Sequence, residues 1–231
     1  MESSEHRVKA VLFDLGGTLI RTTEIPYVIK KILKHRGINR SLKEITQARK
    51  EAEKELNFRD LTKLLDEFWV QWNMRILSNL QVSSKTRTLA EYIATHWWDY
   101  SDVRLYPDAE EMLPLLKKRC LKIGLITNGL QSDVNEILPK VGLQSFFDIV
   151  VVIDTLRKMK PDVEVFHYAL QKLKTVPSEA IFIGDEIEAD YKGAQNSGLT
   201  AYLIDRNGNV HDYNVNKISS LDDIFKLNIL K

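Results

Sequence analysis

Val8-Lys9-Ala10-Val11-Leu12-Phe13-Asp14-Leu15-Gly16-Gly17-Thr18-Leu19 is the stretch that decides the fold. Its opening residues form a short, apolar, β-rich run that stops at an acid, and Gly16-Gly17-Thr18 follow at once. The segment predicts a strand running into a tight turn, with Asp14 at the carboxyl end of the strand. Four further apolar runs lie downstream, at Ile123–Thr127, Ile149–Ile153, Ala180–Gly184 and Ala201–Ile204, separated by helical patterns at about 131–141, 162–173 and 188–197. Short, almost wholly apolar strands that alternate with helices describe an α/β fold whose parallel sheet is covered on both faces by right-handed crossovers.

Between the first strand and the rest the pattern changes. Ser41-Leu42-Lys43-Glu44 reads as a capping box, and Ile45, Ala48, Ala52 and Leu56 follow it at helical spacing. Phe68, Trp69, Trp72, Ile76 and Leu77 continue on one face of another helix, and Leu89, Tyr92, Ile93 and Trp97 suggest a third. No run there alternates like a strand. The expected organisation is a discontinuous α/β core, residues 1–20 and 105–231, with an inserted helical cap over residues 21–104. In the core, Asp108 is expected to N-cap a helix to about Lys118, with Glu111 at its N3 position, and Cys120 is expected to be buried filler.

The composition narrows the classes of function. The chain of 231 residues carries 33 Lys plus Arg against 32 Asp plus Glu, a net charge of +1, which is not the basic excess of a domain built to hold a phosphate backbone. Nucleic acid is therefore not an expected partner. A single Cys makes no internal disulfide, the Met-Glu-Ser-Ser-Glu-His-Arg start has no apolar signal core, and no apolar stretch approaches the ~20 residues of a membrane span. A soluble, cytoplasmic monomer or homodimer acting on a small molecule is the expectation.

In open α/β sheets, ligands bind beyond the carboxyl ends of the strands. Strand one delivers Asp14 there, the second delivers Thr127-Asn128-Gly129, and the fourth delivers Gly184-Asp185-Glu186, with Asp190 one turn later; Lys160-Pro161 lies in the loop after the third. Clustered carboxylates repel one another and take up protons unless a cation neutralises them, and an all-oxygen ligand set favours Mg²⁺. Mg²⁺ and Lys160 would offset the charge of a phosphoryl group. The Thr127 hydroxyl and the backbone N–H groups after strands one and two, at Gly17, Thr18, Asn128 and Gly129, would hold its oxygens. Asp14 could then attack phosphorus to form an aspartyl phosphate that water releases.

Phe13-Asp14-Leu15-Gly16-Gly17-Thr18-Leu19, Thr127-Asn128-Gly129, Lys160-Pro161-Asp162 and Gly184-Asp185 through Asp190 resemble, in order, the four motifs of the haloacid dehalogenase superfamily. Tyr106-Pro107-Asp108 and Ala194 to Gly198 extend the likeness over nearly the whole core, and the insertion is similar to that family's C1-type cap. The resemblance implies a Rossmann-like core and, for most members, Mg²⁺-dependent phosphate hydrolysis. It implies Asp14 as nucleophile and metal ligand, Thr127 as phosphate hydroxyl and Lys160 as charge clamp. It also implies the Gly16 carbonyl and Asp185 as metal ligands, with Asp190 bound indirectly or through water.

One position departs from the pattern. Phosphatases of this family carry a second Asp, a general acid and base, where this chain has Gly16. Such a group contributes typically 10²–10⁴-fold in rate, so its loss predicts slow turnover of alkyl phosphates and better turnover of aryl or acyl phosphates. The substitution keeps two alternatives open: a 2-haloacid dehalogenase-like hydrolase with Asp14 attacking carbon, and a protein that binds a phosphorylated ligand with little catalysis. Specificity is expected in the cap, where Arg21, Thr22 and Thr23 open the insertion and Trp97, Trp98, Tyr100 and Arg104 close it.

Overall fold

The computed structural model describes residues 7–82, 86–211, 214–226 and 230, and the chain divides into two compact units. One comprises Met1–Arg21, Arg104–Gly129 and Val141–Lys231; the other comprises Thr22–Val103 and Leu130–Lys140.

The first unit is built on a six-stranded parallel sheet of order β5-β4-β1-β6-β7-β8. Its strands are β1 (Ala10–Phe13), β4 (Lys122–Ile126), β5 (Ile149–Val151), β6 (Ala180–Gly184), β7 (Thr200–Ile204) and β8 (Lys217–Ile218). β1 is hydrogen-bonded on both sides, with Phe13 level with Leu125 of β4 and with Ile183 of β6. Every residue of β1 and β6 is buried, as continuous apolar runs in a sheet covered on both faces must be. Helices α7 (Pro107–Lys118), α9 (Ile153–Leu156), α10 (Val163–Leu173), α11 (Gly193–Asn196) and α12 (Asp223–Lys226) belong to this unit. On one face, Phe166 of α10 meets Phe182 of β6 edge to face at 5.2 Å, in a core that also holds Leu12, Ala169, Leu170 and Leu203.

The second unit is helical: α1 (Ile25–His35), α2 (Leu42–Glu55), α3 (Leu61–Leu64), α4 (Asp66–Asn79), α5 (Thr86–Thr95), α6 (Trp97–Tyr100) and α8 (Gln131–Lys140). The capping box forms: Glu44 N–H donates to Ser41 Oγ at 3.2 Å and Ser41 N–H to Glu44 Oε2 at 2.7 Å. Val28, Ile32, Ala48, Trp72, Ile76 and Ile93 close the core of the bundle.

Several local expectations change. The run at Ile149–Ile153 is a strand only to Val151; Val152 N–H bonds the Thr155 hydroxyl at 3.1 Å, and Ile153 begins the short helix α9. Asp108 does not cap α7, whose N-cap is Tyr106. Its carboxylate instead gathers the N–H groups of Ala109 and Leu221, the Ser220 hydroxyl and the Arg206 guanidinium. Cys120 is exposed, in a left-handed turn at φ 56° between α7 and β4. The helix read at about 188–197 opens as a π-helix, Ile187–Lys192, before α11. A two-stranded antiparallel pair, β2 (Ile20–Arg21) with β3 (Arg104–Leu105), has no counterpart in the sequence reading. The segment Leu130–Lys140, read as part of the core, groups with the helical unit, where Trp98 Nε1 donates to Asp133 at 2.8 Å and Ser132 to Asp66 at 2.6 Å.

Candidate active site

Asp14 is the first residue past β1, and its N–H is fixed to Ile183 O of β6 at 2.9 Å, so the sheet itself sets the origin of the side chain. Lys160 arrives from the loop after α9. Its N–H donates to Asn128 Oδ1 at 2.7 Å and its carbonyl accepts from Asn128 Nδ2 at 3.1 Å, a reciprocal clamp that ties this loop to the end of β4. Lys160 is 4% exposed, and its ammonium donates at 2.6 Å both to Asp14 Oδ1 and to Asp190 Oδ1. Asp190, 1% exposed, sits on the π-helical stretch, a rare backbone form found mostly at functional sites; its second oxygen accepts from Glu186 N–H at 3.0 Å.

Asp185 completes the group. Ligand oxygens of Asp14, Asp185 and Asp190 all lie within 4.8 Å of one another, and Asp185 remains open to solvent while the other two are buried. The electrostatics follow from this crowding. Burial pushes Asp14 up to about 6 against the pull of Lys160, with the Asp190 charge adding to the rise. Although Asp185 keeps contact with solvent, the loss of water to the atoms packed around its carboxyl, then the charges of Asp14, Asp190 and Glu186, push it up to about 7. For Lys160, burial favours the neutral amine, but Asp14 and Asp190 outweigh it and raise its pKa. One buried cation among three carboxylates leaves an excess of negative charge at the edge of the sheet. An oxygen-rich set with residual negative charge fits a hard divalent cation.

The site residues predicted from sequence fall into groups. Asp14, Lys160, Asp185 and Asp190 are brought together. Thr127 sits two residues beyond Leu125, the partner of Phe13, and is half-buried, with its hydroxyl accepting from Gly129 N–H at 3.2 Å. Asn128 holds Lys160 with both ends of its amide, so its side chain is committed to that task and not to a phosphate. Gly17 N–H is spent within its turn, on Ile20 O at 2.9 Å, and Thr18 is fully buried with its hydroxyl 3.5 Å from Asp185 Oδ1. Both residues shape the turn, and the Gly17 N–H and the Thr18 side chain are engaged within the core. Gly17 is required there: its φ is +74°, and a Cβ would stand 2.1 Å from Asp185 Oδ2. A Cβ on Gly16, by contrast, would meet nothing within 4 Å.

Of the cap residues, Thr22, Thr23, Trp97 and Trp98 line a cavity of about 250 Å³ within the helical unit, together with Trp69 and Trp72. Arg21 pairs with Arg104 across β2 and β3, and Tyr100 bonds the Tyr92 hydroxyl at 3.3 Å. Sequence reasoning missed Arg206, which reaches the carbonyls of Gly17 and Thr18. Two of its partners are main-chain carbonyls, which leave no trace in side-chain patterns, and its side-chain partner Asp108 lies 98 positions away.

Comparison with known proteins adds independent observations. The model of the haloacid dehalogenase-like hydrolase family matches residues 11–204. The chain is 26% identical to glyceraldehyde 3-phosphate phosphatase of Methanocaldococcus jannaschii over 236 aligned positions, covering 95% of this chain and 97% of that protein. It is 31% identical to pyrophosphatase PpaX of Bacillus velezensis over 196 positions, 84% of this chain and 82% of that one. Among solved structures it resembles a HAD phosphatase from Thermococcus onnurineus, with a TM-score of 0.66 at 26% identity over 97% of this chain and 99% of that one. No helix among the described residues is long and apolar enough to cross a membrane.

Proposed function

The chain belongs to the haloacid dehalogenase-like hydrolases, and from that premise we propose that it is a Mg²⁺-dependent phosphatase of small phosphorylated metabolites with Asp14 as its nucleophile. The observation that carries this reading is the Lys160 ammonium at 2.6 Å from Asp14 and from Asp190, beside Asp185. A carboxylate that attacks carbon in a singly charged 2-haloacid needs no such concentration of acid groups. The phosphatase names of its relatives support the same chemistry.

Asp14 Oδ attacks phosphorus while the bond from phosphorus to the leaving oxygen breaks, giving an aspartyl phosphate and a free alkoxide, phenolate or carboxylate. Water then attacks the same phosphorus while its bond to Asp14 Oδ breaks, gives its proton to solvent, and leaves inorganic phosphate and the free Asp14 carboxylate. Lys160 keeps Asp14 oriented and partly offsets the negative charge that gathers as two anions approach. Asp190 and Asn128 hold Lys160, one through its ammonium and the other through its backbone. Mg²⁺, held by Asp14, the Gly16 carbonyl and Asp185, with Asp190 reaching it through water, would supply the remaining positive charge. The Thr127 hydroxyl and the Asn128 N–H are the donors best suited to the phosphoryl oxygens, since the Gly129 N–H is bonded to Thr127 Oγ1.

Gly16 has no proton to give the leaving group, so leaving groups that are weak bases are favoured: aryl and acyl phosphates, and anhydrides of the kind that the name of the pyrophosphatase relative implies. The test is a parallel assay of p-nitrophenyl phosphate, glycerol phosphate and 2-chloropropionate, with Mg²⁺ and with a chelator. Metal-dependent phosphate release, faster from the aryl ester, is expected. Metal-free halide release, or equal rates on the two esters, would sink the reading.

A further inference from the structure

Arg206 lies just past β7, far from every motif in sequence, and yet it touches the turn that follows the nucleophile. Its Nε donates to Gly17 O at 3.2 Å and its Nη2 to Thr18 O at 2.6 Å, while Nη1 donates to Asp108 Oδ2 at 2.8 Å. The guanidinium lies 3.7 Å from the centre of the Tyr106 ring. The side chains of Arg206 and Asp108 are 15% and 11% exposed, so these contacts are made largely out of water, where charge-assisted bonds weigh most. Both partners are themselves fixed. Asp205 accepts from the N–H groups of Asn209 and Val210 at 3.0 and 2.9 Å, which folds the loop that presents Arg206. Asp108 also accepts from Ser220 and Leu221, and these bonds together hold its carboxyl below the usual range despite burial.

Two adjacent carbonyls gripped by one planar fork fix the peptide planes on either side of Thr18. Those planes decide where Gly17 and Gly16 stand. Gly17 packs directly beneath the Asp185 carboxylate, and Thr18 Oγ1 approaches the same group at 3.5 Å. We propose that Arg206 is a positioning residue: anchored by Asp108 and Tyr106, it sets the Gly16–Thr18 turn against Asp185 and thereby the alignment of Asp14 with the metal and phosphate. The catalytic part of this inference rests on the phosphatase reading; the clamp itself does not. A lysine at this position offers one ammonium on a flexible stem and cannot make the three-way fork.

The experiment uses the full chain with Arg206→Lys, Arg206→Ala and, as a second route to the same clamp, Asp108→Asn. Amide hydrogen exchange without metal or substrate is read at Gly17, Leu19 and Ile20, whose N–H groups bond Ile20 O and Leu15 O within the turn. Exchange in this segment is expected to quicken by at least about tenfold in Arg206→Ala while β4 is unchanged, since a local opening affects only its own amides. In the same variant kcat on p-nitrophenyl phosphate is expected to fall about tenfold or more and to recover partly with added methylguanidinium, with Arg206→Lys falling by a comparable factor. Unchanged exchange at these amides, or a uniform rise across the whole chain, overturns the clamp. Local loosening with wild-type kcat and Mg²⁺ requirement overturns the positioning role. If the wild type releases no phosphate at all, the phosphatase reading fails, and the exchange pattern still decides the clamp.

Discussion

The Lys160 ammonium donates to Asp14 Oδ1 at 2.6 Å although the two residues are 146 positions apart in the chain, and it does so with both side chains shut away from bulk water. Such a contact exists only because the crossovers return successive strand ends to one edge of the sheet. Replacing Lys160 by Met leaves Asp14 and Asp190 buried without their cation. Chemical denaturation at pH 7.5 is expected to show a loss of about 3–5 kcal/mol, the cost of breaking a buried pair by removing one partner. The loss is expected to shrink at pH 5, where the orphaned carboxyls take up protons. Phosphatase activity is expected to fall by about 10²–10³-fold.

The metal-free protein is expected to lose stability as pH rises from about 4 to 7. Asp14, ordinarily near 3.8, holds its proton to about 6 when folded, and Asp185 holds its own to about 7. Across that interval these two groups bind more protons in the folded chain than in the unfolded one, so their contribution to the slope of unfolding free energy with pH is negative and levels off above about 7. Asp14 alone accounts for about 3 kcal/mol of the decline. Asp185 adds less than its shift implies, because its side chain is open to solvent. Urea titrations at successive pH values in the presence of a chelator measure this directly. A flat profile contradicts it.

Mg²⁺ is expected to reverse that trend. Its ligands must be deprotonated, so binding competes with the protons held by Asp14 and Asp185 and strengthens as they leave. Thermal unfolding with a fixed excess of Mg²⁺ is expected to show a larger rise in Tm at pH 8 than at pH 5.5, and Asp185→Asn is expected to abolish most of it.

Neighbouring glycines are expected to behave oppositely. Gly16→Asp meets open space and supplies the missing acid, so glycerol phosphate turnover is expected to rise, by up to the 10²–10⁴-fold typical of general acid–base catalysis. Gly17→Ala forces a Cβ against the Asp185 carboxylate in a left-handed turn, at a conformational cost of about 1–2 kcal/mol. It is expected to raise the Mg²⁺ concentration needed for half-maximal activity, read from steady-state rates.

The parts of this molecule that were legible in the sequence are those written in side-chain patterns. Apolar runs located β1, β4, β6 and β7 within a residue or two, because a strand buried on both faces leaves an unbroken hydrophobic record. Asp14 and Asp185 are legible because each follows a strand directly, whereas Lys160 comes after the short helix α9 and Asp190 lies on the π-helical stretch. The two-residue strands β2, β3 and β8 are too short to leave any periodicity. Ile153 was misjudged because an apolar run does not announce where Val152 turns away. An Asp near a helix start usually caps it, whereas here Arg206 and Leu221 compete for the oxygens of Asp108. The clamp between the Asn128 side-chain amide and the Lys160 backbone leaves no trace in the sequence, because one partner is main chain.

The central place of β1 in the sheet bears on how the protein comes to life. Asp14 follows a strand that needs both β4 and β6 as neighbours, and its companions arrive from chain segments made much later. A half-folded molecule therefore has no rudimentary chemistry to offer, since Asp14 meets its first charged partner only across 146 positions of chain. Recovery of enzymatic turnover after dilution from denaturant should trail the return of helical signal, making catalysis itself a clock for the last act of assembly.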